Sequence, residues 1–264
     1  MKRKYILLLS ITLILQGCFN ISTSPLRPVQ HYKFELDDEL DIFSEGPVKF
    51  MKKDFLPASF RIEYKETTFY IDPLTIENSK PADYILITHK HPDHFSKEDI
   101  EKIAHQNTLI ICPSGVAKKI KSHKVKTVKP GEEFEIGSIK IRAVHAYNTK
   151  PTFLWIKGHP QKANNLGYIL TINGKRIYHG GDTSLIPEMK EFSGLTLALV
   201  PVGGDKLTMD IKEAAQMVNS LNPKYTIPMH YEAGKGYGKK FKELVKRQTK
   251  VILFESQPLK PVKK

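Results

Sequence analysis

The sequence predicts an α/β layered domain, and three observations point there. Strand-like segments with period-two or fully apolar patterning alternate with amphipathic helical segments, about ten of the first and five of the second, without a fixed-period repeat. Turn chemistry separates them, most clearly at Asn173-Gly174, which favours the type I′ hairpin turn. Four of the strands end in side chains that bind metals well, at positions where the loops of α/β folds gather into active sites.

Taken in order, Phe60-Arg61-Ile62-Glu63-Tyr64 and Thr68-Phe69-Tyr70-Ile71 alternate apolar and polar around Lys65-Glu66-Thr67 and read as a hairpin that Asp72-Pro73 ends. Tyr84–Thr88 is a buried strand. Ser96 can cap the helix after it, with Asp99 three residues on and Ile100 and Ile103 facing inward. Leu109–Cys112 is a short strand, and Pro113-Ser114-Gly115 turns into a Lys-rich helix over Val116–Ser122. Val125–Val128, Glu133–Ile136 and Ile139–Val144 are strands. Leu166–Ile172 and Lys175–Tyr178 flank the Asn-Gly turn. Leu185–Phe192 is a short helix and Leu195–Val200 a strand stopped by Pro201. Asp210–Leu221 is a helix with Asp210 as cap, Glu213 three on, and one apolar face. Tyr225–Ile227 is a strand, Lys239–Lys250 a terminal amphipathic helix and Val251–Phe254 strand-like.

With 264 residues and 40% hydrophobic content the chain can bury a sizeable core. The net charge of +13 is consistent with an anionic partner or with a solubilising surface. No basic block carries interleaved aromatics and no helix-turn-helix signature occurs, so nucleic acid is not an expected partner. Two cysteines, Cys18 and Cys112, provide no disulfide framework, and Cys112 in an apolar run reads as a small buried hydrophobe.

The N-terminus reads as a targeting segment. Lys2-Arg3-Lys4 precedes an apolar stretch from Tyr5 to Leu15 that is too short to span a membrane. Leu15-Gln16-Gly17-Cys18 resembles the lipobox of bacterial lipoproteins. That resemblance implies a signal peptide over residues 1–17, lipidation of Cys18, export, and anchoring to a bacterial cell membrane. Residues 18–45 are polar and Pro-punctuated and read as a tether, leaving 46–264 as the globular body.

His89-Lys90-His91-Pro92-Asp93-His94 places four strong ligand side chains within six residues, directly after the Tyr84–Thr88 strand. Helical geometry would set His89 and His91 on nearly opposite faces, and Pro92 cannot continue a ladder, so a tight loop is expected. Imidazole and carboxylate suit a borderline divalent ion, with zinc favoured and manganese, iron or nickel admissible. The other strand ends lead to His145, to Asp182 in His179-Gly180-Gly181-Asp182-Thr183, and to His230 after Pro228-Met229.

His-x-His-x-Asp-His, a later lone His, Gly-Gly-Asp-Thr and a final Met-His resemble, in order and spacing over residues 60–231, the metal-binding motifs of the metallo-β-lactamase superfamily. The run Leu199-Val200-Pro201-Val202-Gly203-Gly204 is similar to the ascorbate-6-phosphate-lactonase-like branch, which also resembles the phospholipase D acting on N-acyl phosphatidylethanolamines. The resemblance implies a four-layer αββα sandwich with a two-metal site on one edge. It implies His89, His91 and His145 on one ion, Asp93, His94 and His230 on the other, and Asp182 bridging. It further implies a hydrolase in which a hydroxide on the two metals cleaves an ester, lactone or phosphodiester, with Asp93 and Asp182 as catalytic residues. Two dications against two carboxylates favour an anionic small-molecule or lipid ester. The rival reading is a non-catalytic metal- or substrate-binding lipoprotein that keeps the fold.

Among the other histidines, His179 is a candidate for supporting Asp182, and His179 and His159, the latter in a polar loop with Phe153 and Trp155, are candidate substrate-pocket residues. Lys90 is harmless to a metal site only if it points outward.

Overall fold

In a computed structural model, residues 23–25, 32–44, 46–50, 52–77 and 79–254 are described. The Cys18 lipobox and the leader lie outside them.

The described chain runs through β1 (Thr23–Pro25), β2 (Tyr32–Asp37), β3 (Leu40–Ser44), β4 (Val48–Phe50), β5 (Lys53–Leu56), β6 (Phe60–Tyr64), β7 (Thr67–Ile71) and β8 (Tyr84–Leu86). It continues with helix α1 (Lys97–Ile103), β9 (Leu109–Cys112), α2 (Ser114–Ala117), β10 (Lys124–Thr127), β11 (Glu133–Ile136), β12 (Ile139–His145), β13 (Leu166–Ile172), β14 (Lys175–His179) and β15 (Leu197–Pro201). Helix α3 (Ile211–Leu221), β16 (Tyr225–Met229), β17 (Tyr231–Glu232), α4 (Tyr237–Leu244) and β18 (Lys250–Val251) complete it.

Two seven-stranded sheets form, ordered β10-β9-β8-β7-β6-β3-β2 and β11-β12-β13-β14-β15-β16-β18, with a small sheet β1-β4-β5-β17 beside them. The period of two sorts the side chains into layers. Phe69, Ile71, Leu86 and Ile111 of the first sheet share a buried cluster with Leu166, Tyr168, Leu170, Leu197 and Leu199 of the second. Their neighbours in sequence point outward. Tyr70, Ile85, Ile110 and Cys112 pack with Ile100, Ile103 and Val116 of α1 and α2. Ile169, Tyr178, Ala198 and Val200 pack with Ala214, Val218 and Phe241 of α3 and α4. The result is an αββα sandwich, as the sequence led us to expect.

Local signals worked where they were strong. Ser96 accepts from the Asp99 amide at the start of α1, and Asp210 and Glu213 form a reciprocal capping box on α3. Asn173 and Gly174 both take positive φ, as a type I′ turn requires.

The tether expected over 18–45 is corrected for residues 32–44. These form the β2–β3 hairpin, which pairs with β6 at the edge of the first sheet. Leu40 and Ile42 are completely buried. The acidic run Asp37-Asp38-Glu39 is the hairpin's turn, flanked by period-two alternation. The Lys-rich helix expected to Ser122 stops at Ala117, and Val116 is the one buried residue of that turn. The terminal helix occupies 237–244, not 239–250.

Candidate metal centre

Ile87 and Thr88 follow β8 and deliver the histidine loop, and this segment is held from both sheets. Tyr168 of the opposite sheet donates its hydroxyl to the Ile87 carbonyl (2.8 Å), and the Leu166 amide donates to the Thr88 carbonyl (3.0 Å). The chain then turns tightly, with the His94 and Phe95 amides both on the His91 carbonyl. Lys90 is exposed, clear of the centre.

The loop brings two imidazole nitrogens together with a third, and with a carboxylate, from far along the chain. His89 Nε2 and His91 Nδ1 stand 3.0 Å apart, and His159 Nε2 lies 3.0 Å from His91 Nδ1 and 3.3 Å from His89 Nε2. A tetrahedral zinc ion with Zn–N bonds of about 2.0–2.1 Å would have nitrogen–nitrogen edges of about 3.3–3.4 Å, close to this triangle. Asp182 Oδ2 sits 3.4 Å from His159 Nε2 and 3.8 Å from His89 Nε2. The other oxygen of the same carboxylate, Oδ1, lies 3.3 Å from His94 Nε2 and 3.4 Å from His230 Nε2. Asp93 Oδ2 completes that second group, 3.3 Å from His230 Nε2 and 3.7 Å from His94 Nε2. Asp182 therefore faces two ligand groups at once. His89, His94, His159 and Asp182 are buried, while His91 and Asp93 are partly open and form the mouth.

The expected place of His145 is corrected. Its ring is half-buried and meets Tyr147 edge-on, 6.1 Å between centroids, and it joins neither ligand group. The chain runs three residues past the strand to Asn148, which recruits His159. The Asn148 carboxamide oxygen accepts from the His159 amide (2.8 Å) and faces His159 Nδ1 (3.0 Å), while its nitrogen donates to the Leu207 carbonyl (2.7 Å). His159 is thus part of the buried centre and more than a pocket wall. The strand-end pattern points to His145, but the ligand returns on a loop eleven residues past Asn148.

Three of the buried imidazoles, His89, His94 and His159, have a partner on Nδ1 that orients the ring. The Thr88 hydroxyl donates to Asp72 Oδ2 (2.6 Å), leaving its oxygen to accept from His89 Nδ1 (3.0 Å). Asp72 Oδ2 also accepts from His94 Nδ1 (2.7 Å), and Asp72 Oδ1 accepts from the Thr88 amide (2.7 Å). Asn148 does the same for His159. In His89 and His159 this puts the hydrogen on Nδ1 and leaves the Nε2 lone pair free for the centre, while the Asp72 carboxylate fixes a hydrogen on Nδ1 of His94. His179 plays a different part. It donates from Nε2 to the Ala58 carbonyl (2.8 Å) and accepts the Gly181 amide on Nδ1 (3.2 Å), so it holds the turn before Asp182 from behind and does not line a pocket. Gly181 takes φ +58°, and a Cβ there would stand 2.6 Å from the Leu166 carbonyl oxygen, so only glycine fits.

The electrostatics fit a cation. Burial drives His89 and His91 below the usual imidazole range, and drives His159 down to about 4, so these rings stay neutral, the form that binds metal. Burial works against charge on His94 too, but the carboxylates of Asp182, Asp93 and Asp72 overcome it and hold that ring well above its usual range. Burial likewise opposes charge on Asp182, and the His230 and His94 rings outweigh it to hold the carboxyl well below its ordinary value. His94 Nε2 and Asp182 Oδ1 are buried without a hydrogen-bond partner. Orphaned polar atoms of this kind cost about 1–3 kcal/mol each unless something else satisfies them. A divalent ion between the two would do so.

Asp72, Thr88 and Asn148 escaped the sequence reading. Asp72 was legible only as a turn residue before Pro73, yet it sits at φ +48°, a conformation rare outside glycine, asparagine and aspartate. We expect Asp72→Asn to weaken metal binding by roughly 10–100-fold, because His94 would lose the carboxylate that fixes its ring. Competition with a chromogenic chelator measures this, and unchanged affinity would show that Asp72 serves only the turn.

A sandwich with two histidine-rich groups joined by one buried aspartate defines a metallohydrolase type of centre. The chain belongs to the metallo-β-lactamase superfamily, within its UPF0173 metal-dependent hydrolase family. The beta-lactamase superfamily domain matches residues 55–230. A UPF0173 protein of Pyrococcus furiosus is 33% identical over 217 residues, covering 76% of this chain and 93% of that protein. A UPF0173 metal-dependent hydrolase of Carboxydothermus hydrogenoformans is 32% identical over 200 residues, covering 69% of this chain and 84% of that protein. Among solved structures, a candidate metal-dependent hydrolase of Parabacteroides distasonis is 30% identical with a TM-score of 0.70, covering 87% of this chain and all of that one.

Proposed function

We propose that this chain is a hydrolase with two divalent ions, zinc favoured, that cleaves an ester-type bond: a carboxylic ester, lactone or phosphodiester. The observation that carries this reading is Asp182, whose two carboxylate oxygens face two separate groups of imidazoles. His89, His91 and His159 would hold one ion, Asp93, His94 and His230 the other, with Asp182 shared. Such ions would supply a bound water of lowered pKa and a Lewis acid for a substrate oxygen. The chain supplies the rest. Asp72, Thr88 and Asn148 orient the imidazoles, and the Asp182 carboxylate fixes the separation of the two groups. The Asp93 carboxylate at the mouth can hold the attacking water by hydrogen bond. Two dications outweigh the carboxylates that face them, which favours an anionic substrate.

Within the superfamily the Leu199–Gly204 run supports a place beside the lactonase-like and phospholipase-like branch. The test is hydrolysis of chromogenic phosphodiesters, esters and lactones before and after chelation. Activity that chelation abolishes and zinc or manganese restores is the expected result. Full turnover in metal-free protein would overturn the reading.

The leader and Cys18 support export and lipid anchoring. Cys18→Ala should move the protein from the membrane fraction to the soluble fraction with its thermal unfolding unchanged, since stable anchoring needs more than one acyl signal. Equal fractionation of variant and parent would remove the lipobox assignment.

A further inference from the structure

The chain between Asn148 and His159 is a closed loop whose base is part of the metal centre. Its ends are tied by the Asn148 amide on the His159 carbonyl and by the His159 amide on Asn148 Oδ1, both 2.8 Å. At the far end the Thr152 amide donates to the Ile156 carbonyl and the Ile156 amide to the Phe153 carbonyl, both 2.8 Å. Thr152 Oγ1 donates to the Lys206 carbonyl (3.3 Å) and accepts the Gly158 amide (3.0 Å), bracing the turn on the neighbouring loop.

This braced turn carries Phe153, Leu154, Trp155 and Ile156, which are 69%, 65%, 81% and 40% exposed. Leu244, on α4, is the other large hydrophobic side chain exposed among the described residues. Scattered exposed hydrophobes are ordinary, but four in succession on an ordered turn mark a contact surface. Large aliphatic and aromatic side chains of this kind partition into the membrane interface, where tryptophan is enriched.

The surroundings are cationic. Lys150, Lys157 and Lys162 flank the tip in sequence, and Lys206 lies where Thr152 braces the turn. Lys150 pairs with Glu213 at 3.1 Å, and Asp205 precedes Lys206, so the local excess is moderate, on a chain of net charge +13. A second copy docking here would press these lysines against their own kind. An anionic lipid surface takes up both the apolar tip and the lysines around it.

We propose that the Phe153–Ile156 tip inserts into the interfacial layer of an anionic lipid bilayer and seats the mouth of the metal centre against the membrane. The proposal stands on the loop alone, apart from the N-terminal anchor and from the bond cleaved. No helix among the described residues is long and apolar enough to cross a membrane, so this contact would be a shallow one.

Trp155 is the only tryptophan in the chain, so its emission reports on the tip alone. The full chain carrying Cys18→Ala, which excludes any acyl chain, would be titrated with phosphatidylglycerol vesicles. Emission should shift to the blue and be quenched by bromine in the acyl chains, with weaker effects on phosphatidylcholine. Changing Phe153→Ser, Leu154→Ser and Ile156→Ser together keeps Trp155 and should weaken vesicle binding by roughly tenfold or more. Three outcomes would overturn the proposal: emission that vesicles leave unmoved, binding that the triple variant retains in full, or a blue shift that grows with protein concentration without lipid.

Discussion

His159→Ala is expected to lose one metal ion per chain and at least about a hundredfold in rate, roughly 2.7 kcal/mol of transition-state stabilisation, while His145→Ala keeps its metal content and most of its activity. The two variants separate the histidine that the strand-end pattern points to from the one that the fold delivers. His159 Nε2 stands within 3.3 Å of both His89 Nε2 and His91 Nδ1. Removing it leaves two imidazoles and one carboxylate oxygen at that position. His145 belongs to neither group. Because His159 is fully buried, its removal also leaves a cavity, and Asn148→Ala serves as the second variant. It keeps the imidazole but frees its orientation, and should cost metal affinity by roughly 10–100-fold. Elemental analysis and turnover on an established substrate read both effects. Full metal content in His159→Ala with loss in His145→Ala would reverse the assignment.

Asp182→Asn should have the second large effect. The substitution keeps the shape, removes the charge and replaces one ligand oxygen by a poor donor. Asp182 Oδ1 faces His94 and His230 and its Oδ2 faces His159 and His89, so both groups are affected at once. A bridging carboxylate offsets the repulsion of two dications and fixes their separation. Loss of at least one ion and a fall in rate of roughly a hundredfold or more are expected. An Asp182→Asn protein with both ions and full turnover would leave a single-metal centre as the better account.

Much of this could be read in the sequence, for identifiable reasons. The two sheets were legible because strands such as Leu166–Ile172 and Leu197–Pro201 carry unbroken apolar patterning and Asn173-Gly174 fixes a hairpin. The histidine loop was legible because its ligands are adjacent in sequence and follow a buried strand. Asp182 and His230 were legible from the strand ends that precede them.

The remainder depends on long-range contacts. His159 reaches the centre only because Asn148 and Leu207 close a loop over it, and no local period encodes that. Asp72 lies 22 residues from the histidine it orients. The β2–β3 hairpin was hidden by the acidic turn at Asp37-Asp38-Glu39, which resembles a solvated linker until Leu40 and Ile42 are seen in the core.

The most direct measurement is an anomalous diffraction map at the metal edge from crystals of metal-replete protein. Two peaks are predicted. One should be bounded by His89, His91 and His159, the other by Asp93, His94 and His230, with one oxygen of Asp182 on each. A single peak, or a peak ligated by His145 with His159 turned away, would contradict the account.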